Sequence, residues 1–159
     1  MPDPLPSVAP TEHRPFRRET EPGRWEGVDV LAYKETGTHF KSITRQVLFE
    51  SGRDMPCQWR YFEIKPGGHS TFERHRHLHA VLILRGCGEV LVGEETRRVG
   101  AHDLVHVEPM TWHQFQANQG EPLGFLCLVN CERDRPQRPT DEEAADLGKH
   151  PVIGGFIKL

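Results

Sequence analysis

From Trp25 onward, short runs rich in β-branched and aromatic residues alternate with breaks that carry Gly, Pro, Asn or Asp, at intervals of about eight to twelve residues. Strands are expected at residues 43–49, 57–65, 70–75, 79–84, 88–93, 96–100, 103–107, 111–117 and 123–130. The breaks KPGGH, RGCGE, VGEE, VGAHD, VEPM and NQGEPLG read as tight turns, because each holds a residue that tolerates a reversed or rigid backbone. The pattern is all-β, a sandwich or barrel. One stretch has a helical look: Thr140 or Asp141 can cap DEEAADLGKH, an acidic first turn opening two to three turns of helix. Both faces of HAVLIL and LGFLCLV are apolar, more than a filled small barrel needs, which predicts a homodimer that buries the second face. Six of the thirteen prolines fall in the first 22 residues, a composition that reads as an extended arm, either a free tail or a segment lying across a partner subunit.

Composition narrows the function. A chain of 159 residues makes one domain. The formal charge is −3 and no basic block occurs, so nucleic acid is not an expected partner. The longest uncharged apolar run, Leu123 to Cys131, is nine residues, short of the ~20 that a spanning helix requires, so no membrane span is expected. The start, MPDPLPSVAP, has neither a basic lead nor an apolar core, and a cytoplasmic location follows as the expectation. The four cysteines then read as reduced thiols in the core. Cys127 and Cys131 would lie ~13 Å apart along a strand, too far to share an ion.

Seven of the ten histidines crowd between His69 and His113. Along a strand, Glu73 and His75 share a face, about 6–7 Å apart, and a reversal through Arg76, His77 and Leu78 would bring His79 onto that face from the next strand. His113, after the Pro109 break, can supply a fourth ligand. Three imidazoles with one carboxylate suit Mn, Fe, Co, Ni, Cu or Zn rather than Ca or Mg. His77 shares the parity of His75 and His79 and is the alternative ligand if the strand runs one pair further. His69 and His102 sit in turns and read as solvated; His106 could face either way. A group of buried imidazoles with no partner would be costly, which favours an ion.

These residues resemble the cupin family. Its first motif is a Gly, five residues, a ligand pair spaced by one, three or four residues, a third ligand, six residues and a Gly; Gly67, Glu73, His75, His79 and Gly86 keep every spacing. Its second motif is similar to GAHDLVHVEPMTWHQF, which places the ligand on His113. The chain departs from the family in exchanging the ends of the first motif, with Glu73 first and His79 third. The resemblance implies a double-stranded β-helix, or jelly-roll barrel, over residues 25–135, preceded by an arm (1–24) and followed by a tail with a short helix (136–159).

The implied site is one divalent transition metal held by Glu73, His75, His79 and His113, open to water or substrate. Glu73 doubles as the candidate catalytic proton acceptor. The leading expectation is a metal-dependent, dioxygenase-like oxidoreductase acting on a small organic substrate, with Trp59, Tyr61, Phe72, Phe115 and Phe125 as candidate walls and Arg60 or Arg74 as partners for a substrate carboxylate. Alternatives are a non-catalytic metal or ligand sensor or store, and a cupin isomerase or decarboxylase. The thiol-dioxygenase subtype is disfavoured, since Cys87 has no late tyrosine to accompany it.

Overall fold

A computed structural model describes residues 17–34, 37–50 and 55–159. Ten strands and two short helices follow in order: β1 (Glu19–Glu21), β2 (Arg24–Trp25), β3 (Leu31–Ala32), β4 (Lys41–Glu50), β5 (Cys57–His69), β6 (His79–Val92), β7 (Glu95–Gly100), β8 (Leu104–Val107), β9 (His113–Ala117), β10 (Leu123–Asn130), α1 (Asp141–Lys149) and α2 (Ile153–Phe156). β1 and β2 form a small hairpin of their own. The rest make a closed, all-antiparallel barrel of the cupin type, as the sequence pattern implies.

Two long strands build the closure. β5 pairs with β4 on one side and β10 on the other, and its last residue, His69, reaches Gln116 of β9. β6 runs between β10 and β8 in its first half and between β9 and β7 in its second. Here the structure corrects the sequence reading. The segments KPGGH and RGCGE are not reversals but bends inside these continuous strands, with Gly67 and Gly86 at positive φ (69° and 68°). A side chain at Gly86 would run into the Pro122 carbonyl oxygen, so the bend requires glycine. Residues 70–75, expected as a strand, make only isolated bridges, Glu73 to His113 and Arg74 to Gln137.

Alternation along each strand places Ile64, Ile83, Leu123 and Phe125 in the main core, together with Phe62, Val81, Val90 and Phe115; Phe125 stacks between Phe62 and Phe115. A second cluster forms where the C-terminal helices close one side: Phe72 and Leu91 pack on Ile153 and Phe156. Thr140 caps α1 in a full capping box with Glu143, as expected. The tail is stitched down by Gln114, whose amide donates to the Lys158 carbonyl and accepts from the Lys158 N–H, and by Gln116, whose amide donates to the Phe156 carbonyl. Of the expected N-terminal arm, residues 1–16 lie outside the described residues.

Candidate metal centre

The imidazoles meet because the chain is pinned where it leaves and re-enters the sheet. After Arg74 it bends through Arg76 and His77 and resumes as β6 at His79. Asp134, beyond β10, clamps the bend: its carboxylate accepts from the backbone N–H groups of Arg76 (2.8 Å) and His77 (3.1 Å) and from His77 Nδ1 (2.8 Å). Burial alone would raise the Asp134 carboxyl; these donors outweigh it and hold the group down at about 2. The clamp stacks the rings of His75 and His77 at 3.7 Å and those of His75 and His79 at 4.5 Å. His113 opens β9, exchanging two backbone hydrogen bonds with Glu73 (3.2 and 3.0 Å), and its ring lies 4.8 Å from that of His75 and 5.4 Å from that of His79.

His75, His79 and His113 each offer a ligand atom, and the three lie within 4.8 Å of one another; among the described residues this is the group able to hold an ion. The tautomers suit that role. His75 Nδ1 donates to the His77 carbonyl (2.6 Å) and His113 Nδ1 to the Thr111 carbonyl (2.9 Å); a carbonyl only accepts, so the proton sits on Nδ1 and Nε2 keeps its lone pair. The Nε2 atoms of His75 and His79 are buried with no hydrogen-bond partner, an arrangement that costs on the order of 1–3 kcal/mol per group unless something accepts the lone pair. All three rings are held neutral. Burial is the main cause in each case; it pushes His113 down to about 4, and at His79 the neighbouring His113 and His75 add to it. Neutral, oriented imidazoles with orphaned Nε2 atoms fit a divalent transition ion.

Glu73 stands next to His113 but its carboxylate is engaged elsewhere. Lys34 Nζ donates to it at 2.8 Å and the Tyr33 hydroxyl at 3.3 Å, while Lys34 also reaches Thr71 Oγ1 at 2.9 Å. Burial and the Glu73 charge push the Tyr33 hydroxyl well up, so it keeps its proton. Tyr33 and Lys34 follow β3, a two-residue strand with no periodic signal, and the hydrophobic pattern gave no reason to look there. His77 spends its Nδ1 on Asp134 and its ring on covering His75.

Other candidates fall outside. His69 Nδ1 bonds the Ser70 carbonyl, His102 occupies an exposed turn, and His106 is exposed beside Glu108. Arg74 points away from the imidazoles, over the Trp112 ring and onto Glu143 at 2.9 Å. Trp59 is on the exposed face, Tyr61 is buried on the opposite face of β5 from Arg60 against Trp25, and Phe72 belongs to the helix-capped cluster, so these three do not wall the site. Arg60 does face inward. Its Nη2 lies 3.7 Å from Cys127 Sγ, which in turn is 3.5 Å from His79 Nδ1. Cys127, read from sequence as a plain core cysteine, is therefore beside the imidazoles; a strand apolar on both faces pointed to burial but not to this neighbourhood.

A barrel with three imidazoles at one end, on motifs spaced as described, defines the class: the chain belongs to the cupin family, and residues 60–129 match its Cupin domain profile. More particular likenesses cover nearly all of the chain. It is 50% identical, over 92% of its length and 94% of the relative's, to the 1-methylthio-D-xylulose 5-phosphate methylsulfurylase of Rhodospirillum rubrum. Among solved structures, a cupin 2 conserved barrel domain protein from Rhodopseudomonas palustris superposes with a TM-score of 0.85 at 52% identity, covering 91% of this chain and 99% of that one. A cupin-2 domain protein from Rhodospirillum rubrum gives 0.79 at 51% identity, covering 90% and 96%.

Proposed function

We propose that this chain is an enzyme that removes the methylsulfur group from a small phosphorylated methylthio ketose, with a divalent transition metal held by His75, His79 and His113. The near full-length likeness to a methylsulfurylase suggests the substrate class. The observation that carries the reading is the Cys127 thiol lying 3.5 Å from His79 in the imidazole cluster, since a thiol is the natural acceptor for a sulfur group.

A bound ion would polarise the ketone next to the carbon that bears sulfur and stabilise negative charge there. The Cys127 sulfur, as thiolate, attacks the methylthio sulfur; an S–S bond forms and the carbon–sulfur bond breaks. The electron pair stays on carbon as an enolate, which takes a proton and becomes a methyl ketone. Carbon is reduced and the two sulfurs are oxidised to a methyl disulfide, which an external thiol then releases by exchange. Burial pushes the Cys127 thiol up and the adjacent Arg60 guanidinium opposes that shift. Lys34 and Tyr33 hold protons at the Glu73 carboxylate, beside His113, and this trio is the proposed proton source. In this reading Glu73 carries protons; as a fourth ligand it would first have to leave Lys34.

The test is to mix the metal-loaded full chain with 1-methylthio-D-xylulose 5-phosphate without external thiol and weigh the intact protein. One methylsulfur adduct on Cys127, absent from Cys127→Ser, is expected; product formed with no adduct would overturn the cysteine route. A dioxygenase-like oxidoreductase is the second reading, supported by the same three-imidazole set, and oxygen consumption on adding substrate would favour it. For assembly we propose the homodimer: Leu104 is 80% exposed on β8 and Phe49 44% exposed on β4, apolar surface suited to a second copy. Light scattering at a single monomer mass would refute it.

A further inference from the structure

Four arginines of the barrel are matched by carboxylates: Arg74 with Glu143, Arg85 with Glu63, Arg97 with Glu95, Arg98 with Glu89. Three that are at least partly buried in the barrel are not. Arg45 on β4, Arg60 on β5 and Arg133 just past β10 lie near enough for their charges to act on one another, and among the described residues none of them makes an ion pair. Arg60 is only 8% exposed, laid over the Phe62 ring at 5.1 Å. The register sets Phe62 directly opposite Arg45, and the alternation of β5 puts Arg60 on the same face. The Nε atoms of Arg45 and Arg60 are buried with no hydrogen-bond partner. Arg133 is steered by neutral acceptors, the Gln58 side chain (3.0 Å) and the Asn130 carbonyl (2.7 Å).

Like charges gathered in a partly buried space repel strongly, because the effective dielectric there is far below that of water. The strain is visible in the groups themselves. Burial first, and then the charge of Arg60, push the guanidinium groups of both Arg45 and Arg133 below their ordinary range. At Arg133, Cys131 and then Glu50 oppose that shift, and among the described residues Glu50 makes no ion pair with it. An arrangement of this kind is relieved by an anion. Planar guanidinium forks, two of them with an unused Nε–H, match the oxygens of a phosphate better than a single carboxylate oxygen.

We propose that Arg45, Arg60 and Arg133 form a phosphate-monoester subsite beside the imidazole cluster. Arg60 touches Cys127 and Cys127 touches His79, so the subsite lies two contacts from the imidazoles. A phosphate anchored there would extend a short carbon chain toward Cys127 and the metal end. The identity of the ligand as a sugar phosphate rests on the function proposed above; the anion subsite itself rests on the arginines.

Binding of inorganic phosphate to the full-length protein is measured by titration calorimetry, with metal removed by chelation so that phosphate cannot report on the ion. Saturable binding is expected, weakened about tenfold or more in Arg45→Gln and in Arg133→Gln. Arg85→Gln, on the opposite face and already paired with Glu63, should leave it unchanged. No binding to the wild type, or equal binding by the Arg45 and Arg133 variants with circular dichroism confirming that they fold, would overturn the subsite. A second arm follows turnover of 1-methylthio-D-xylulose 5-phosphate and of the same ketose without phosphate. If the subsite holds, Arg45→Gln raises KM for the phosphorylated ketose with little change in kcat, and the unphosphorylated ketose is a poor substrate for either protein. Arginine-dependent phosphate binding with no turnover of the ketose would leave the subsite standing and sink the function. Turnover that ignores both the phosphate group and Arg45 would do the reverse.

Discussion

Three strands carry the interior of the barrel from a dry end to a chemical end, and the contrast lies along single faces. On β5 the sequence of inward side chains is Ile64, Phe62, Arg60; on β10 it is Leu123, Phe125, Cys127; on β6 it is Ile83, Val81, His79. Ile64, Ile83 and Leu123 are fully buried among aliphatic and aromatic neighbours. Four residues along each strand, the same face presents a guanidinium, a thiol and an imidazole. The dry end supplies the burial free energy that holds the strands in register, at about 25 cal/mol per Å² of apolar surface. The other end gives some of that back by burying polar groups whose partners are missing. Stability and chemistry are thus separated by about four residues of strand rather than by domain or by loop.

Substitutions at the two ends should therefore fail differently. At the chemical end, His79→Ala or His113→Ala removes a member of the imidazole group; metal content by elemental analysis should fall from about one ion per chain toward none. The loss in metal affinity should exceed the about 10–100-fold typical for removing a mere supporting partner of a ligand. Both variants should remain folded, and retention of full metal content would count against the three-imidazole site. At the dry end, Ile83→Ala should cost about 2–5 kcal/mol in denaturant unfolding through the cavity it leaves, while the protein that remains folded still binds metal one to one. Metal loss with unchanged stability in that variant would erase the distinction between the ends.

Acid separates the ends more gently. His113 takes up a proton near 4 in the folded chain but near 6.5 when unfolded, so between those values the unfolded state binds more protons. Metal-free protein should accordingly lose stability as pH falls from 6.5 to 4, by up to about 3 kcal/mol, and show no further contribution from this residue below that window. Chemical denaturation across the range checks it, and His113→Ala should flatten the slope. The smallest effect is expected at the clamp. Asp134→Asn removes the charge that holds Arg76 and His77, and should weaken metal binding about tenfold at a stability cost of about 1 kcal/mol.

Much of the barrel was legible because its signals are local. A continuous apolar run marked β10 at its observed bounds, Leu123–Asn130, and Thr140 ahead of an acidic first turn marked the start of α1. The spacing from Gly67 to Gly86 placed Glu73, His75 and His79 around one reversal, and the reversal through Arg76, His77 and Leu78 is present. What escaped depended on longer range. A glycine at positive φ serves equally in a turn and in a bent strand, so Gly67 and Gly86 were misread as chain reversals. The apolar run around Cys127 marked it as buried without saying that its neighbours would be His79 and Arg60. Lys34 reaches Glu73 across 39 positions of sequence, and no pattern of either segment anticipates the pair.

The bend at Gly86 governs more than the path of one strand. Drawn straight, the fourteen residues of β6 would reach about 45 Å, yet His79 begins the strand, Val92 at its end pairs with His113, and those two rings are 5.4 Å apart. The strand works like a pair of callipers whose pivot is seven positions from His79 and six from Val92. The bite of the imidazoles is metered by the backbone at a residue that touches neither of them, so enlarging Gly86 would spread the jaws and loosen their grip on an ion while leaving every ligand in place.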